Sequence, residues 1–157
     1  MRTRWKWIIG ICFPVIVIQL MQPGRSNPTV NPAQTIDSKL AVDAAVAATF
    51  ARSCNDCHSN LTVWPWYSNV APVSWLVVSD VRRGRSDLNL SEWGFYPLEK
   101  QQELLKEVCA EVSSKEMPGS VYTIMHPKAR LSDADTASIC VWTQSPNQNV
   151  TQNTARE

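Results

Sequence analysis

The stretch Cys54-Asn55-Asp56-Cys57-His58 decides which fold and which chemistry we expect of this 157-residue chain. Two cysteines separated by two residues and followed at once by histidine form the C-x-x-C-H spacing of covalent haem attachment. The spacing has a chemical reason, because the two thiols add to the two vinyl groups on one edge of the porphyrin. The adjacent histidine is then directed beneath the iron as an axial ligand. We therefore predict one covalent haem c, bound by Cys54 and Cys57 and ligated by His58.

Two other uses of these cysteines remain open. A C-x-x-C pair can be a redox dithiol, but such a pair usually precedes a helix in a strand–helix unit, and the sequence shows no alternating strand pattern. A zinc-bearing structural interaction domain is the second alternative. Its ligands would come from the cysteines outside the N-terminal run, with either histidine as a substitute: Cys54, Cys57, Cys109, Cys140, His58 and His126.

The other face of a haem needs a ligand or an open position. We predict Met117 as this distal ligand, because a loop methionine followed by proline is the usual arrangement in small class I cytochromes. A thioether ligand favours the reduced iron and raises the reduction potential relative to two histidines. Met125 and His126 are competitors, and a water-bound or open position is a further alternative. Tyr122 is a candidate hydrogen-bond donor to a haem propionate.

The N-terminus is typical of an exported chain. Arg2, Arg4 and Lys6 precede an apolar run over residues 7–21, which is the pattern that export machinery recognises. No small-x-small cleavage site follows the run, so we predict an uncleaved membrane anchor helix over residues 1–22 rather than a cleaved signal peptide. Because haem attachment requires export, the expected location is the bacterial inner membrane with the domain facing the periplasm. If the segment is cleaved, the expected location is the periplasm itself.

The rest of the chain is expected to form one all-α domain, a small c-type cytochrome-like helical unit. Residues 23–36 are rich in Pro, Asn, Ser and Thr, and they are predicted to be a linker that does not pack on the domain. Residues 37–145 are the predicted haem-binding domain, and residues 146–157 are a predicted polar tail.

Helix start and stop signals predict four helices in this domain. Their expected bounds are from Asp37 or Ser38 into Cys54, from Pro72 to Gly84, from about Pro97 onward, and from Ser132 to Ser145. Helical periodicity predicts the inner faces of the first two helices. These faces are Val42, Val46, Thr49 and Phe50 in the first helix, and Val73, Leu76, Val77 and Val81 in the second.

Cys109 and Cys140 fall on the apolar faces of the third and fourth helices. In an oxidising compartment two such thiols are expected to form a disulfide. The loop that this disulfide closes would stabilise the fold by roughly 3 to 4 kcal/mol in the chain-entropy model. Two buried free thiols are the alternative.

The charge pattern argues against some partners. The formal net charge is +1, the charged fraction is 18%, and the basic residues are mostly scattered. So balanced a charge does not indicate a nucleic-acid binder or a polybasic membrane-surface protein. The expected partners are redox proteins that the sequence does not identify, and the membrane that the anchor reaches.

With these residues quoted, the chain resembles the small haem-binding domain proteins of bacteria, a c-type cytochrome-like group. The resemblance covers roughly residues 40–145, and the tryptophan-rich block after the cysteine motif makes it specific. The matching segments are Cys54 to Asn60, Trp64 to Ser68, Ala71 to Leu76, Gly84-Arg85, Leu88-Asn89, Ser91, Trp93, Met117-Pro118, Tyr122, His126-Pro127, Ala129, Leu131-Ser132 and Trp142. The resemblance implies haem binding and a mainly helical cytochrome fold, without a particular physiological role.

The function that we expect is one-electron transfer by a membrane-tethered carrier. No pocket with paired acid–base residues can be recognised in the sequence, so an enzymatic activity is not expected. A haem-based sensor or peroxidase is the alternative, and it would require an open distal position. The zinc-bearing interaction domain is the alternative from a different class.

Overall fold

The computed structural model describes residue 10 and residues 13–145. All regular secondary structure in these residues is helical, which confirms the all-α prediction for this part of the chain. The α-helices, in chain order, are α1 (residues 13–20), α2 (Ile36–Lys39), α3 (Ala44–Ser53), α4 (Asn55–His58), α5 (Val73–Asp87), α6 (Leu98–Ser114), α7 (Ser120–Met125) and α8 (Asp133–Thr143). Short 3-10 helices connect them at Pro32–Gln34, Trp66–Asn69, Leu90–Phe95 and Pro127–Ala129.

The predictions for the two ends of the chain, an anchor helix and a polar tail, can be compared with the structure only in part. The first half of the predicted anchor (residues 1–9, 11 and 12) and the predicted polar tail (residues 146–157) lie outside the described residues. Helix α1 covers most of the second half of the apolar run. Among the helices of the described residues, none has both the length and the apolar character that crossing a bilayer requires.

The first predicted helix is present as two. Leu40 adopts an extended conformation (φ −126°, ψ 149°) that ends α2, and α3 begins after Asp43. Both Ile36 of α2 and Leu40 are buried in the core, so the break lets the short first helix contribute side chains of its own. The predicted face of α3 is buried at Val46, Thr49 and Phe50, and Val42, just before the helix, is partly buried against the core.

Helix α5 buries a face that shares only Val81 with the predicted one. Its buried stripe consists of Ser74, Val78, Val81 and Gly84. The predicted inner residues Val73 and Leu76 are 40% and 62% exposed. Helix α5 packs closely against α4, and the small residue Gly84 permits this contact. A Cβ atom at Gly84 would lie only 2.7 Å from the carbonyl oxygen of Cys57. Gly84 therefore lies inside α5, as the point of closest packing, and does not end the helix as predicted.

Helices α6 and α8 begin where the sequence predicts. Pro97 precedes α6, and Ser132 forms a capping box with Asp135 at the start of α8, in which each side chain accepts a hydrogen bond from the other residue's backbone N–H. Cys109 of α6 and Cys140 of α8 form the predicted disulfide, with their Cα atoms 4.8 Å apart. The disulfide fixes α8 against the helix that forms one wall of the cavity described below.

A single core lies between α2, α3, α6 and α8. Trp93 and Ile139 are fully buried in it, and the ring of Trp142 meets Phe50 edge-on at a centroid distance of 5.4 Å. The remaining buried members are Ile36, Leu40, Val46, Leu90, Leu104, Leu105 and Val112. This core fixes the relative positions of α3 and α6, which face each other across the cavity.

Arg85 of α5 binds part of the predicted linker to the domain. Its guanidinium donates to the carbonyl oxygen of Ser26 at 3.0 Å and to Oδ1 of Asn27 at 2.8 Å. The same group donates to the carbonyl oxygen of Ser59 and to Oγ1 of Thr62, both at 2.8 Å. The prediction of a linker free of the domain is therefore wrong for this stretch, because a half-buried cation on α5 supplies hydrogen bonds to it.

The end of α1 is also held against the domain. The side-chain amide of Gln19 donates to the carbonyl oxygen of Asn69 at 2.6 Å and accepts from the backbone N–H of Ala71 at 3.0 Å. The indole N–H of Trp75 donates to the carbonyl oxygen of Met21 at 2.8 Å. The segment after α1 thus runs along the domain surface from α5 toward the cysteine motif.

Candidate functional site

The cysteine–histidine motif forms a tight corner where α3 ends and the one-turn helix α4 begins. Cys54 departs from helical geometry (φ −122°, ψ −40°), and its carbonyl oxygen accepts hydrogen bonds from the backbone N–H groups of Cys57 and His58 at 3.1 and 2.9 Å. The two cysteines are consequently one helical turn apart. The corner is compact, and His58 is placed directly after the second cysteine on the same turn.

The imidazole of His58 is oriented by a backbone carbonyl. Its Nδ1 lies 3.1 Å from the carbonyl oxygen of Leu88, just after α5. A carbonyl can only accept, so Nδ1 carries the proton and Nε2 has a free lone pair. Metal-ligating histidines usually donate their other ring N–H in this way, which fixes both the tautomer and the ring orientation.

A buried network of polar side chains holds the segment that presents this carbonyl. The amide of Asn89 donates to Oδ1 of Asn60 at 2.9 Å, and the backbone N–H of Asn60 donates to Oγ of Ser91 at 3.0 Å. The backbone N–H of Asn89 donates to the hydroxyl of Tyr96 at 2.9 Å. Because all three small polar residues are almost fully buried, their hydrogen bonds fix the chain on either side of Leu88.

Sequence reasoning did not assign this network. Asn60, Asn89 and Ser91 were quoted only as part of the family resemblance, without a role. A usable signal was present, because asparagine beside strongly apolar neighbours is rarely buried unless its hydrogen bonds are satisfied. The partners, however, lie about 30 residues away along the chain, at 60 and 89, and no local pattern connects them.

A cavity of about 490 Å³ opens beside the corner. Its volume falls within the range of roughly 300 to 1,000 Å³ that small-molecule and cofactor sites occupy. The wall is formed by the ends of α3, α4 and α5, by one face of α6, and by the loop after α6. Its members are Phe50, Cys54, His58, Asp87, Leu88, Leu90, Lys100, Leu104, Glu107, Val108, Glu111, Val112 and Met117.

Three of the four predicted cofactor-binding residues lie in this wall. Cys54, His58 and Met117 all line the cavity, and Met117 is held after α6 by a hydrogen bond from its backbone N–H to the carbonyl oxygen of Glu111. Cys57 is not a wall residue, because it lies one turn further on, under Gly84 of α5.

Both motif thiols are in a low-polarity environment. Burial, with a further contribution from Cys57, raises the pKa of Cys54 to about 12. Burial, followed by the carboxylates of Asp80 and Asp56, raises the pKa of Cys57 to about 11. The thiols are therefore protonated at neutral pH, and they do not resemble the low-pKa cysteines of dithiol redox enzymes.

The competing distal candidates lie elsewhere. Nε2 of His126 is in hydrogen-bond contact with the hydroxyl of Tyr67 at 2.6 Å, and its ring stacks on Tyr122 at a centroid distance of 4.4 Å. The hydroxyl of Tyr122, the candidate donor to a haem propionate, donates to Oδ2 of Asp56 in the cysteine motif at 2.9 Å. Neither His126 nor Met125 lines the cavity.

The zinc alternative is not supported. Two of its four proposed thiolates are consumed in the disulfide between Cys109 and Cys140. In residue 10 and residues 13–145, no group of three or more His, Cys, Asp or Glu side chains is arranged to hold a metal ion. Cys54 and Cys57 are the two free cysteines of this part of the chain.

Comparison with known proteins identifies the family of the chain. The family model described as a haem-binding domain matches residues 13–145. No curated protein and no solved structure matches the chain. The matched range contains the cysteine motif, the whole cavity wall and both cysteines of the disulfide.

Proposed function

Because the chain belongs to the haem-binding domain family, we propose that it carries one haem c in the cavity between α3, α4 and α6. Haem binding follows from the family. The proposal adds covalent attachment through Cys54 and Cys57, with His58 as the proximal ligand and Met117 as the distal ligand. We further propose that the protein is a one-electron carrier and not an enzyme, tethered through its N-terminus to the bacterial inner membrane and facing the periplasm.

One observation carries the proposal. His58 donates Nδ1–H to the carbonyl oxygen of Leu88 while it lines a cavity of cofactor size that Cys54 and Met117 also line. A histidine that only stabilises a core has no need of an adjacent cavity. The free Nε2 lone pair supplies a nitrogen ligand, and the Met117 thioether in the same cavity wall supplies a soft second ligand. The residues present therefore fit an iron porphyrin.

The remainder of the wall suits electron transfer. An iron porphyrin supplies the chemistry, since its iron cycles between ferrous and ferric states. Phe50, Leu104 and Val112 make the inner wall apolar and keep water away from the ligands. A Met117 thioether stabilises the ferrous form relative to a second imidazole, so these side chains together favour a carrier of relatively high potential.

Covalent attachment can be tested directly. The full chain, produced in cells that attach haem to C-x-x-C-H motifs, should retain its haem after denaturation and acid–acetone extraction. Intact-mass analysis should show an increase equal to one haem. The variants Cys54→Ala and Cys57→Ala should each keep a single thioether bond, which the pyridine haemochrome spectrum detects as a shifted α-band. Extraction of all haem from the unsubstituted chain would refute the covalent proposal and leave haem binding intact.

A further inference from the structure

One long stretch of the sequence contains no charged residue. From Ser59 to Ser79 there is no Asp, Glu, Lys or Arg. This stretch includes the 3-10 helix Trp66–Asn69 and the first half of α5. Several of its large apolar residues point to solvent, and we call them the apolar face: Trp66, Val70, Val73, Trp75 and Leu76. Trp66 is 76% exposed, so the face does not belong to the core.

A second uncharged element lies beside the apolar face. Tyr67 follows Trp66 with the two rings 5.8 Å apart, and its hydroxyl contacts His126 at the end of α7. Helix α7 contains no Asp, Glu, Lys or Arg, and its Val121 and Ile124 are largely exposed. Exposed apolar side chains from two separate parts of the chain therefore occur on one side of the molecule.

The segment after the apolar N-terminal run is fixed to the same side. Gln19 is hydrogen-bonded to Asn69 and Ala71, and Trp75 donates to Met21. These contacts lie between the members of the apolar face. The last turn of α1 therefore meets the domain at this face.

We propose that the apolar face rests in the interfacial region of the lipid bilayer to which the N-terminal segment tethers the protein. This inference rests on the proposed tether. Trp side chains are favoured at the membrane–water interface, where the ring is among apolar groups and the indole N–H still finds a partner. The residues of the apolar face carry no charge themselves, so they can enter this region without the cost of burying an ion. The guanidinium of Arg25, which donates to the carbonyl oxygen of Ser68, is a cation that suits the headgroup level of the same region. Since the tether meets the domain at the apolar face, the bilayer is its nearest apolar neighbour.

This arrangement also orients the cavity. The apolar face is at the N-terminal end of α5, and the cavity is lined by Asp87 and Leu88 at the other end, about 20 Å away at 1.5 Å per residue. Asp87, which is part of the cavity wall, is the last residue of α5 and so lies at that far end. The cavity, whose wall includes the proposed haem ligands His58 and Met117, thereby stays accessible to protein partners in solution, while the apolar face contacts the lipid.

Site-specific photocrosslinking tests the proposal. The full chain is reconstituted in vesicles of phosphatidylethanolamine and phosphatidylglycerol, with a benzophenone amino acid in place of Trp66 or of Leu76. Val141 and Phe95, which are similarly exposed on other parts of the domain, are the matched control positions. After irradiation, mass spectrometry of the digested protein measures the yield of lipid adducts at each position.

We expect lipid adducts at 66 and 76 in severalfold higher yield than at 141 and 95. Equal yields at all four positions, or crosslinks from 66 and 76 to a second protein chain, would overturn the proposal. Release of the chain from the vesicles by an alkaline wash would overturn both the tether and this inference. The absorbance spectrum of the same samples reports haem separately, so loss of haem with intact lipid adducts would count against the proposed cofactor alone.

Discussion

The chain has two histidines, and their surroundings differ in the property that makes a histidine a metal ligand. His58 uses Nδ1 to donate to a backbone carbonyl, and this leaves Nε2 free beside a cavity. His126 has its Nε2 engaged by the hydroxyl of Tyr67 and one ring face covered by Tyr122. Residue type is the same in both corners, yet only the first presents an unused lone pair to a space large enough for a cofactor.

The comparison shows that residue type alone does not identify a candidate ligand. The hydrogen bond that each ring nitrogen makes distinguishes His58 from His126. At the His58 corner the support is backbone, and buried amides hold it in place. At the His126 corner the support is two aromatic side chains, Tyr67 in the 3-10 helix Trp66–Asn69 and Tyr122 in α7. Paired substitutions, one in each corner, can therefore break or sharpen the contrast.

Removal of each imidazole should produce the largest contrast. His58→Ala deletes the proposed proximal ligand, and we expect at least a tenfold loss of low-spin holoprotein, in line with the roughly 10- to 100-fold effects that follow loss of even supporting partners at metal sites. His126→Ala should retain the parent spectrum. Absorbance of the purified full chains in both redox states measures the effect. Equal losses of low-spin spectrum in the two variants would show that the corners do not differ as proposed.

Removal of each thioether tests the opposite face of the cavity. Met117→Ala should lower the reduction potential by on the order of 100 mV, within the ~0.8 V range that axial ligands span, because a weaker ligand replaces the thioether. The reduced variant should also gain carbon monoxide binding. Met125→Ala, outside the cavity wall, is the matched control and should change neither property. Tight carbon monoxide binding by the unsubstituted chain would instead favour an open site and a sensor or peroxidase.

Two glycine-to-alanine substitutions, each of which adds one methyl group, compare how tightly the two corners are packed. Gly84→Ala places a Cβ atom 2.7 Å from the carbonyl oxygen of Cys57, and a backbone atom cannot rotate away. We expect the free energy of unfolding to fall by about 1 to 3 kcal/mol. Gly119→Ala, next to α7, meets no atom within 4 Å and should stay within about 0.5 kcal/mol. Urea denaturation midpoints at constant slope measure both, and a neutral Gly84→Ala would disprove the tight contact.

Removal of one hydroxyl from each corner should have effects no larger than those of the glycine substitutions. Tyr96→Phe leaves the buried backbone N–H of Asn89 without its acceptor and should cost about 1 to 3 kcal/mol. Tyr67→Phe removes a more exposed hydrogen bond to His126 and should cost about 1 kcal/mol or less. Only Tyr96→Phe should also shift the reduction potential, because Asn89 adjoins the carbonyl that orients His58. A potential shift in Tyr67→Phe alone would reverse the assignment of the two corners.

The sequence predicted the features that depend on local signals. The cap at Ser132, the proline before α6 and the spacing of the cysteine motif are all short-range, and the structure has the first two as expected. The pairing of Cys109 with Cys140 was also predicted, since both lie on apolar helix faces.

Features that depend on close approach or on distant partners were not predictable in this way. The apolar residues of α5 predict only Val81 of its buried face correctly, because that face also includes the small residues Ser74 and Gly84, which an apolar periodicity does not indicate. Helix α7 was missed because its six residues are too few to show a periodicity. The proposed ligands Cys57 and Met117 stay predictions, with Met117 in the cavity wall and Cys57 outside it.

The hydrogen bonds of Arg85 also change where the chain can be divided. The predicted boundary at residue 37 would separate the guanidinium from Ser26 and Asn27, two of its four partners. A fragment that begins at Gln19 keeps all four and also keeps the contacts to Asn69 and Ala71. A truncated chain that is meant to keep these contacts therefore has to include the segment that composition alone assigns to a flexible spacer.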